Sequence, residues 1–349
     1  MTSSDHRPLV AIATPVYNGA AFLAETMECV QSQSYPNLVH VLIDNASTDE
    51  TPEIIARFQS GKVPVLCRRN TETVPVGRNW ALAAALVPEQ AKYFSVLCAD
   101  DTLAPNAIAR MVEVAERDAS IELVGCLTWR AGALSPSDLP HETSVFDGKM
   151  IARRFLDKEA DNVPHEYGLY RRHAQDFEQD FFDSSLVMVD TDACLRALAR
   201  GKFGFVHQPL VTLRVHPAQL FAKLLSESRH TVFAPLVEIE RWAHVVMDER
   251  AAARCRERHL RVIYRFMLYW RATGQSKLVK RYTQMLSERG CAPSLRDYQQ
   301  AVLEWPGREL AKRYRRHYAR AQSEALGLGR SAFPVDAALP NILNGKWWA

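Results

Sequence analysis

An α/β fold built on a largely parallel sheet is predicted by three observations. Apolar runs of strand length alternate with helical patterns, three of those runs end in polar turn-forming segments, and no internal repeat or low-complexity stretch points elsewhere. The first run, Leu9-Val10-Ala11-Ile12-Ala13, ends in Thr14-Pro15-Val16-Tyr17-Asn18-Gly19. The second, Val39 to Ile43, ends in Asp44-Asn45-Ala46-Ser47-Thr48-Asp49, and the third, Tyr93 to Cys98, in Ala99-Asp100-Asp101. Open α/β sheets bind ligands outside the carboxyl ends of their strands, so these segments place polar groups on one rim of one sheet.

Strands are expected at 9–14, 38–43, 63–67, 93–98 and 121–126, with right-handed crossover helices between them. Leu23, Met27 and Val30 repeat at i, i+4 and i+7 and should form the buried stripe of the first helix. Ser47, Thr48 and Asp49 can cap the second helix, whose first turn accepts Pro52 because no hydrogen bond is lost there. Pro105 plays the same part before Ile108, Met111, Val112 and Ala115. Residues 133–140, with Ser135-Pro136-Ser137 and Pro140, read as a loop. A second block, 145–220, looks like more sheet around a short helix from Ala193 to Arg200 that Gly201 ends. Beyond about Leu224 the pattern is amphipathic and helical, with Val262-Ile263, Phe266-Met267 and Trp270 at helical spacing. The chain closes on Lys346-Trp347-Trp348-Ala349, aromatic enough to dock or to seek a membrane.

At 349 residues the chain exceeds one typical core, which predicts a first domain over 1–220 and a helical extension over 221–349. A composition of 47% hydrophobic and 24% charged residues is that of a soluble protein. The polar Met1 to Arg7 has no signal-peptide character. The most apolar short run, Ala81 to Val87, falls far below the roughly 18 residues of a membrane span. The cytoplasm is therefore the expected compartment. Seven scattered cysteines without a C-x-x-C pair argue against a zinc site or a disulfide scaffold, and most should be reduced core residues.

The net charge of +3 hides an asymmetry, because residues 251–330 hold 18 Lys and Arg against 6 Asp and Glu, a local +12 that leaves −9 for the rest. Such a region fits either a solvated helical face or an anionic partner, a membrane surface or a phosphate-bearing acceptor. A nucleic-acid partner is not expected. No Gly-x-Ser-x-Gly elbow and no Gly-x-x-x-x-Gly-Lys-Ser/Thr loop occurs, which removes the usual acyl-transfer and P-loop readings.

Five motifs in order, Thr14 to Gly19, Asp44 to Thr51, Gly77-Arg78-Asn79-Trp80, Leu97 to Asp101 and Arg214-Val215-His216-Pro217, resemble the family 2 glycosyltransferases. These are inverting enzymes with a GT-A fold, a Rossmann-like mixed sheet flanked by helices, and the resemblance covers about residues 8–220. It implies a nucleotide-binding half over 8–130 and an acceptor half over 140–220. The implied reaction moves a sugar, hexosyl or deoxyhexosyl, from a nucleotide diphosphate donor (UDP or dTDP) to an acceptor hydroxyl. In bacteria such relatives build lipopolysaccharide, capsule or exopolysaccharide, and the implied acceptor is a glycan or a polyprenyl-phosphate-linked glycan, with peripheral contact at the inner membrane face.

The resemblance also assigns roles. Asp100 and Asp101, with His216, would hold a divalent cation, Mn2+ or Mg2+, because a carboxylate can retain a diphosphate only through such an ion. Many relatives carry a further Asp where this chain has Cys98. Asp44 would accept from the nucleobase ring N–H, or serve only as an Asx-turn. Thr14, Pro15 and Tyr17 would floor the base and ribose, with Ser47 and Asp100 completing the nucleotide site, unless Tyr17 is an ordinary packed aromatic. Arg78 would face phosphate from a helix start or lie as a surface Arg, Asn79 would support its loop, and Arg214 would offset leaving-group charge. Asp190 matches the Asp of the family's Glu-Asp pair, with Val189 in place of the Glu, and is the candidate base, Asp192 its understudy. Both would lie just ahead of a helix, where capping competes. The rival readings are an inactive nucleotide-sugar-binding scaffold and a sugar-phosphate nucleotidyltransferase; Thr14 to Gly19 lacks the glycine-rich, basic first loop of the latter.

Overall fold

In a computed structural model, residues 7–130, 132–135, 137–157, 167–216 and 230–304 are described. Four strands, β1 (Val10–Val16), β2 (Leu38–Asp44), β3 (Val65–Arg69) and β4 (Tyr93–Val96), pair in parallel in the order β3-β2-β1-β4. They are linked by α1 (Leu23–Gln31), α2 (Thr51–Arg57) and α3 (Val76–Ala85). The sheet then turns mixed. β9 (Leu169–Arg171) inserts antiparallel between β4 and β6 (Ile121–Arg130), β10 (Lys202–Leu213) runs parallel to β6, and the two-residue β5 (Thr102–Leu103) closes the edge antiparallel to β10. Two short strands, β7 (Ala133–Leu134) and β8 (Val145–Asp147), pair with β6 and β10.

Side-chain alternation sorts the core onto the two faces. Val10 and Ile12 pack with Ile108 and Met111 of α4 (Ala107–Ala115) on one face. Ala11 and Ala13 meet Ala81, Ala83 and Ala84 of α3 on the other, where the small residues on both sides let helix and strand approach closely. The predicted stripe of Leu23, Met27 and Val30 is fully buried, at about 1.5–3 kcal/mol per side chain. The second helix departs from its predicted cap. Its N-cap is Glu50, with no side-chain cap bond, because Ser47 and Asp49 are engaged with the β1 loop, although Pro52 does occupy the first turn.

On the α3 face lie α5 (Gly148–Leu156), capped by the Asp147 carboxylate on the Met150 N–H, and α6 (Val189–Arg200). α6 begins four residues before the predicted Ala193, so Asp190 and Asp192 occupy its first turn rather than the segment ahead of it. β6 runs four residues past its predicted end, because Leu127 and Thr128 are buried and Trp129 and Arg130 pair with β7. The predicted loop at 133–140 thus opens with a strand.

Four helices are described between residues 230 and 304: α7 (His230–Val246), α8 (Glu249–Ala272), α9 (Ser276–Ser287) and α10 (Leu295–Leu303), the last carrying a Ser294/Asp297 capping box. Ile263, Met267 and Trp270 of the predicted repeat centre a second core with Tyr282 and Leu286. Ile239, Ala243, Val246 and Cys255 instead join the core on the α5 and α6 face of the sheet. Among the described residues no helix is long and apolar enough to cross a membrane. The terminal Lys346-Trp347-Trp348-Ala349 and the basic residues beyond 304 lie outside the described residues.

The start of α5 abuts the end of α6 so closely that a Cβ on Gly148 would sit 2.0 Å from the Gly201 carbonyl oxygen and 2.3 Å from that of Leu198. Gly148→Ala should therefore lower the thermal midpoint, with a loss of about 1–3 kcal/mol in chemical denaturation. An unchanged midpoint would show that the two helices can separate without cost.

Candidate active site

The loops after β1 and β2 are knitted to each other. Asn18, in the left-handed region at φ 48°, donates its N–H to Ser47 Oγ at 2.9 Å, and its own Oδ1 accepts the Thr48 N–H at 2.8 Å. Gly19 N–H bonds Thr51 Oγ1 at 2.9 Å, and Ala20 N–H bonds Asp49 Oδ2 at 3.0 Å. Asp44 Oδ1 accepts the Ser47 N–H at 2.9 Å, the Asx-turn that the sequence allows. Its other oxygen, Oδ2, is buried without a hydrogen-bond partner and lies 3.3 Å from Arg69 Nη1, while Arg69 Nη2 donates to the Ser47 carbonyl at 2.6 Å. The turn thus uses one oxygen of Asp44 and leaves the second beside a guanidinium, placed to accept a further N–H. Asn45 locks the next segment by exchanging bonds with Val74 backbone at 2.8 and 2.9 Å, and Asn70 Nδ2 bridges Asn45 and Asn79.

Thr14 and Pro15 are buried at the end of β1, and Tyr17 is 52% exposed. The Thr14 hydroxyl is bonded to His40 Nε2 at 2.9 Å within the sheet, where burial pushes His40 down to about 3 and keeps it neutral.

Asp100 and Asp101 stand at the end of β4. Thr26 of α1 donates to the carbonyls of both Ala99 and Asp101 at 2.9 Å and so fixes their turn. Asp101 is 2% exposed and accepts the Arg214 backbone N–H at 2.9 Å. Desolvation, reinforced by the Asp100 charge, pushes it up to about 6. Asp100 Oδ2 lies 3.0 Å from His216 Nε2. Phe22 packs against the His216 ring, tilted by 36° with centroids 4.6 Å apart, and lies under the Arg214 guanidinium, which reaches Glu25. Donor atoms of Cys98, Asp100 and Asp101 all fall within 4.8 Å of one another, a spacing compatible with one divalent ion. Two adjacent carboxylates, one of them buried, repel once both are ionised, and a cation would relieve that repulsion, so the residues fit the ion.

The α6 side is built differently. A Cβ on Gly77 would lie 3.2 Å from Val189 Cγ1, which sets the start of α3, and Arg78 with it, against the start of α6. Arg78 pairs with Asp180. Asp190 Oδ1 accepts the Thr191 N–H at 2.7 Å, and burial of its carboxyl pushes Asp190 above the usual carboxylate range. Asp192 points the other way. It is 3% exposed and accepts from Arg241 Nε at 2.9 Å and Trp242 Nε1 at 2.8 Å, both on α7, while Arg241 also reaches Asp183 at 3.2 Å.

Of the residues singled out from sequence, Asp101 meets Arg214 and Asp100 meets His216, two pairs side by side. Asp44 and Ser47 meet in one turn, and Asn79 joins the Asn45 network behind it. Thr14 is tied to His40 and Asp192 to α7. Arg69 was not singled out. It is the register partner of Asp44 across β2 and β3, a relation that only strand pairing reveals.

This architecture is of the GT-A type. Residues 11–176, just under half of the chain, match the family described as Glycosyl transferase family 2. The chain is 33% identical over 114 residues to an uncharacterized glycosyltransferase of Rickettsia prowazekii, and 28% over 122 residues to a putative teichuronic acid biosynthesis glycosyltransferase, TuaG, of Bacillus subtilis. These matches cover 33% and 34% of this chain but only 34% and 47% of those proteins. In structure it resembles TarS 1-349 of S. aureus in complex with UDP-GlcNAc, at 14% identity and a TM-score of 0.58 over 74% of this chain and 73% of that one. The mannosyltransferase PcManGT of Pyrobaculum calidifontis, in complex with GDP-Man and Mn2+, gives 17% and 0.54 over 86% and 87%.

Asp192→Ala strips two donors of their partner and should cost about 2 kcal/mol of unfolding free energy. Asp192→Asn, which keeps an oxygen for Trp242, should lose less. Urea denaturation with both variants equal to wild type would contradict this anchoring role.

Proposed function

We propose that this chain is an inverting glycosyltransferase that moves a sugar from a UDP or dTDP donor to a hydroxyl of a glycan or polyprenyl-phosphate-linked acceptor in cell-surface polysaccharide or glycolipid assembly. The observation that carries the reading is Asp44, buried at the sheet rim with Oδ2 lacking a hydrogen-bond partner and 3.3 Å from Arg69 Nη1. Uracil and thymine both offer a ring N–H to such an acceptor. The nucleotide complexes of TarS and PcManGT, and the teichuronic acid biosynthesis for which the Bacillus subtilis relative is named, support the same direction.

In this reading Asp44 binds the base, with Pro15, Tyr17 and Ser47 near the base and ribose and Thr14 supporting them from within the sheet. Asp100, Asp101 and His216 would hold a divalent cation, Mn2+ or Mg2+, whose charge offsets that of the diphosphate. Arg78 and Arg214 add positive charge on the leaving-group side. The donor phosphates compete with Asp180 for Arg78. Asp190 takes the proton from the acceptor hydroxyl as its oxygen attacks the anomeric carbon, the bond to the diphosphate breaks, and the configuration inverts in one displacement. Burial raises the affinity of Asp190 for a proton, which suits a base. The neighbouring Asp192, engaged by Arg241 and Trp242, acts as an anchor and not as the base.

Replacing Asp190 by Asn should lower transfer by about 10²–10⁴-fold while UDP affinity stays within a factor of two. Equal transfer rates in wild type and variant would remove Asp190 as the base and favour a binding scaffold.

The basic stretch from 251 to 330 is proposed to bring the protein to an anionic membrane surface, in keeping with a lipid-linked acceptor at the inner face. Flotation should bring the protein up with phosphatidylglycerol-containing liposomes at low salt and release it at high salt. Equal flotation with neutral and anionic lipid would sink this part.

A further inference from the structure

From the carboxyl rim, and resting on the glycosyltransferase reading, we infer that Trp129 is a stacking platform for the sugar ring of the acceptor. β6 is buried along its first eight residues and then exposes Trp129, 40% accessible, at the end where the proposed site lies. Trp129 pairs in register with Thr212 of β10, and Thr212 pairs with Thr102, the residue that follows Asp101. Two strand spacings, about 10 Å, therefore separate Trp129 from the backbone beside the acidic pair.

The face is also determined. Thr128, Val211 and Leu103 form the adjacent register row, and Val211 and Leu103 belong to the core on the α4 face. Alternation then puts Trp129 on the opposite face, that of Leu127, α5 and α6, where Asp190 stands. Among the described residues no aromatic or cationic side chain stacks on its ring. A pyranose presents a face of axial C–H groups, apolar and slightly positive, which complements the negative face of an indole. What marks Trp129 out is its place, at the carboxyl rim and on the same side as the proposed base, where a flat indole can stack on the acceptor sugar.

The test uses the full chain with 15N-labelled tryptophans, UDP and Mn2+, titrated with the methyl glycosides of glucose, galactose, rhamnose and N-acetylglucosamine. The resonance missing from Trp129→Phe identifies the Trp129 indole N–H. At least one glycoside should move that signal saturably, with the other indole signals still. In transfer assays with that glycoside, Trp129→Ala and Trp129→Leu should raise acceptor KM about tenfold with donor KM within twofold, and Trp129→Tyr should retain most of the wild-type value. The leucine variant keeps the apolar cover of the core, so a folding defect is separated from loss of the flat ring. A Trp129 signal that no glycoside moves, or a leucine variant with unaltered acceptor KM, would overturn the inference. A wild type with no donor turnover at all would count instead against the glycosyltransferase reading, and the NMR titration would then decide the platform alone.

Discussion

Two contacts join the end of β4 to the end of β10, and the geometry of the rim depends on them: the Arg214 N–H on the Asp101 carboxylate and the His216 imidazole on Asp100. Adjacent carboxylates repel, and burial penalises the charge on Asp101 further. The fold holds them together because Thr26 pins the turn from below and Phe22 backs His216 and Arg214 from the start of α1. These contacts couple the parallel half of the sheet to the mixed half, and the electrostatic cost held there is what the proposed cation would relieve.

That coupling needs the helices close to the sheet. Alanines on both β1 and α3 permit it on one face, and the contact of Gly148 with the end of α6 keeps α6 in place on the same face. The helical extension is part of the arrangement. Arg241 of α7 ties Asp192 on α6 to Asp183 in the segment before it, and that segment also carries Asp180, the partner of Arg78. The first turn of α6, with Asp190, is therefore braced from the extension on one side and met by α3 on the other.

Much of this was legible in the sequence where the physics is local. Strands β1, β2 and β4 show as apolar runs because they are buried on both faces, and the α1 stripe shows because it faces one core. The acidic pair, Asp44 and the Arg214-to-His216 segment stand out through the family resemblance. Tertiary relations stayed hidden. β3 exposes most of its residues, so Arg69 reads as a surface cation until register brings it to Asp44. The end of β6 looks like a loop because Trp129 and Arg130 are solvent-facing, and α6 starts early because Val189 is buried against Gly77. The bonds that hold Asp192 cannot be read locally because its donors come from a helix about fifty residues downstream.

The proposed role of Asp100, Asp101 and His216 is to retain a divalent cation that tethers a nucleoside diphosphate. Electron paramagnetic resonance of Mn2+ titrated into the protein, with and without UDP, measures this directly. UDP should tighten Mn2+ binding at a single site in wild type, and Asp100→Ala should abolish the tightening while the protein stays folded. Equal Mn2+ binding by wild type and Asp100→Ala, unaffected by UDP, would contradict it.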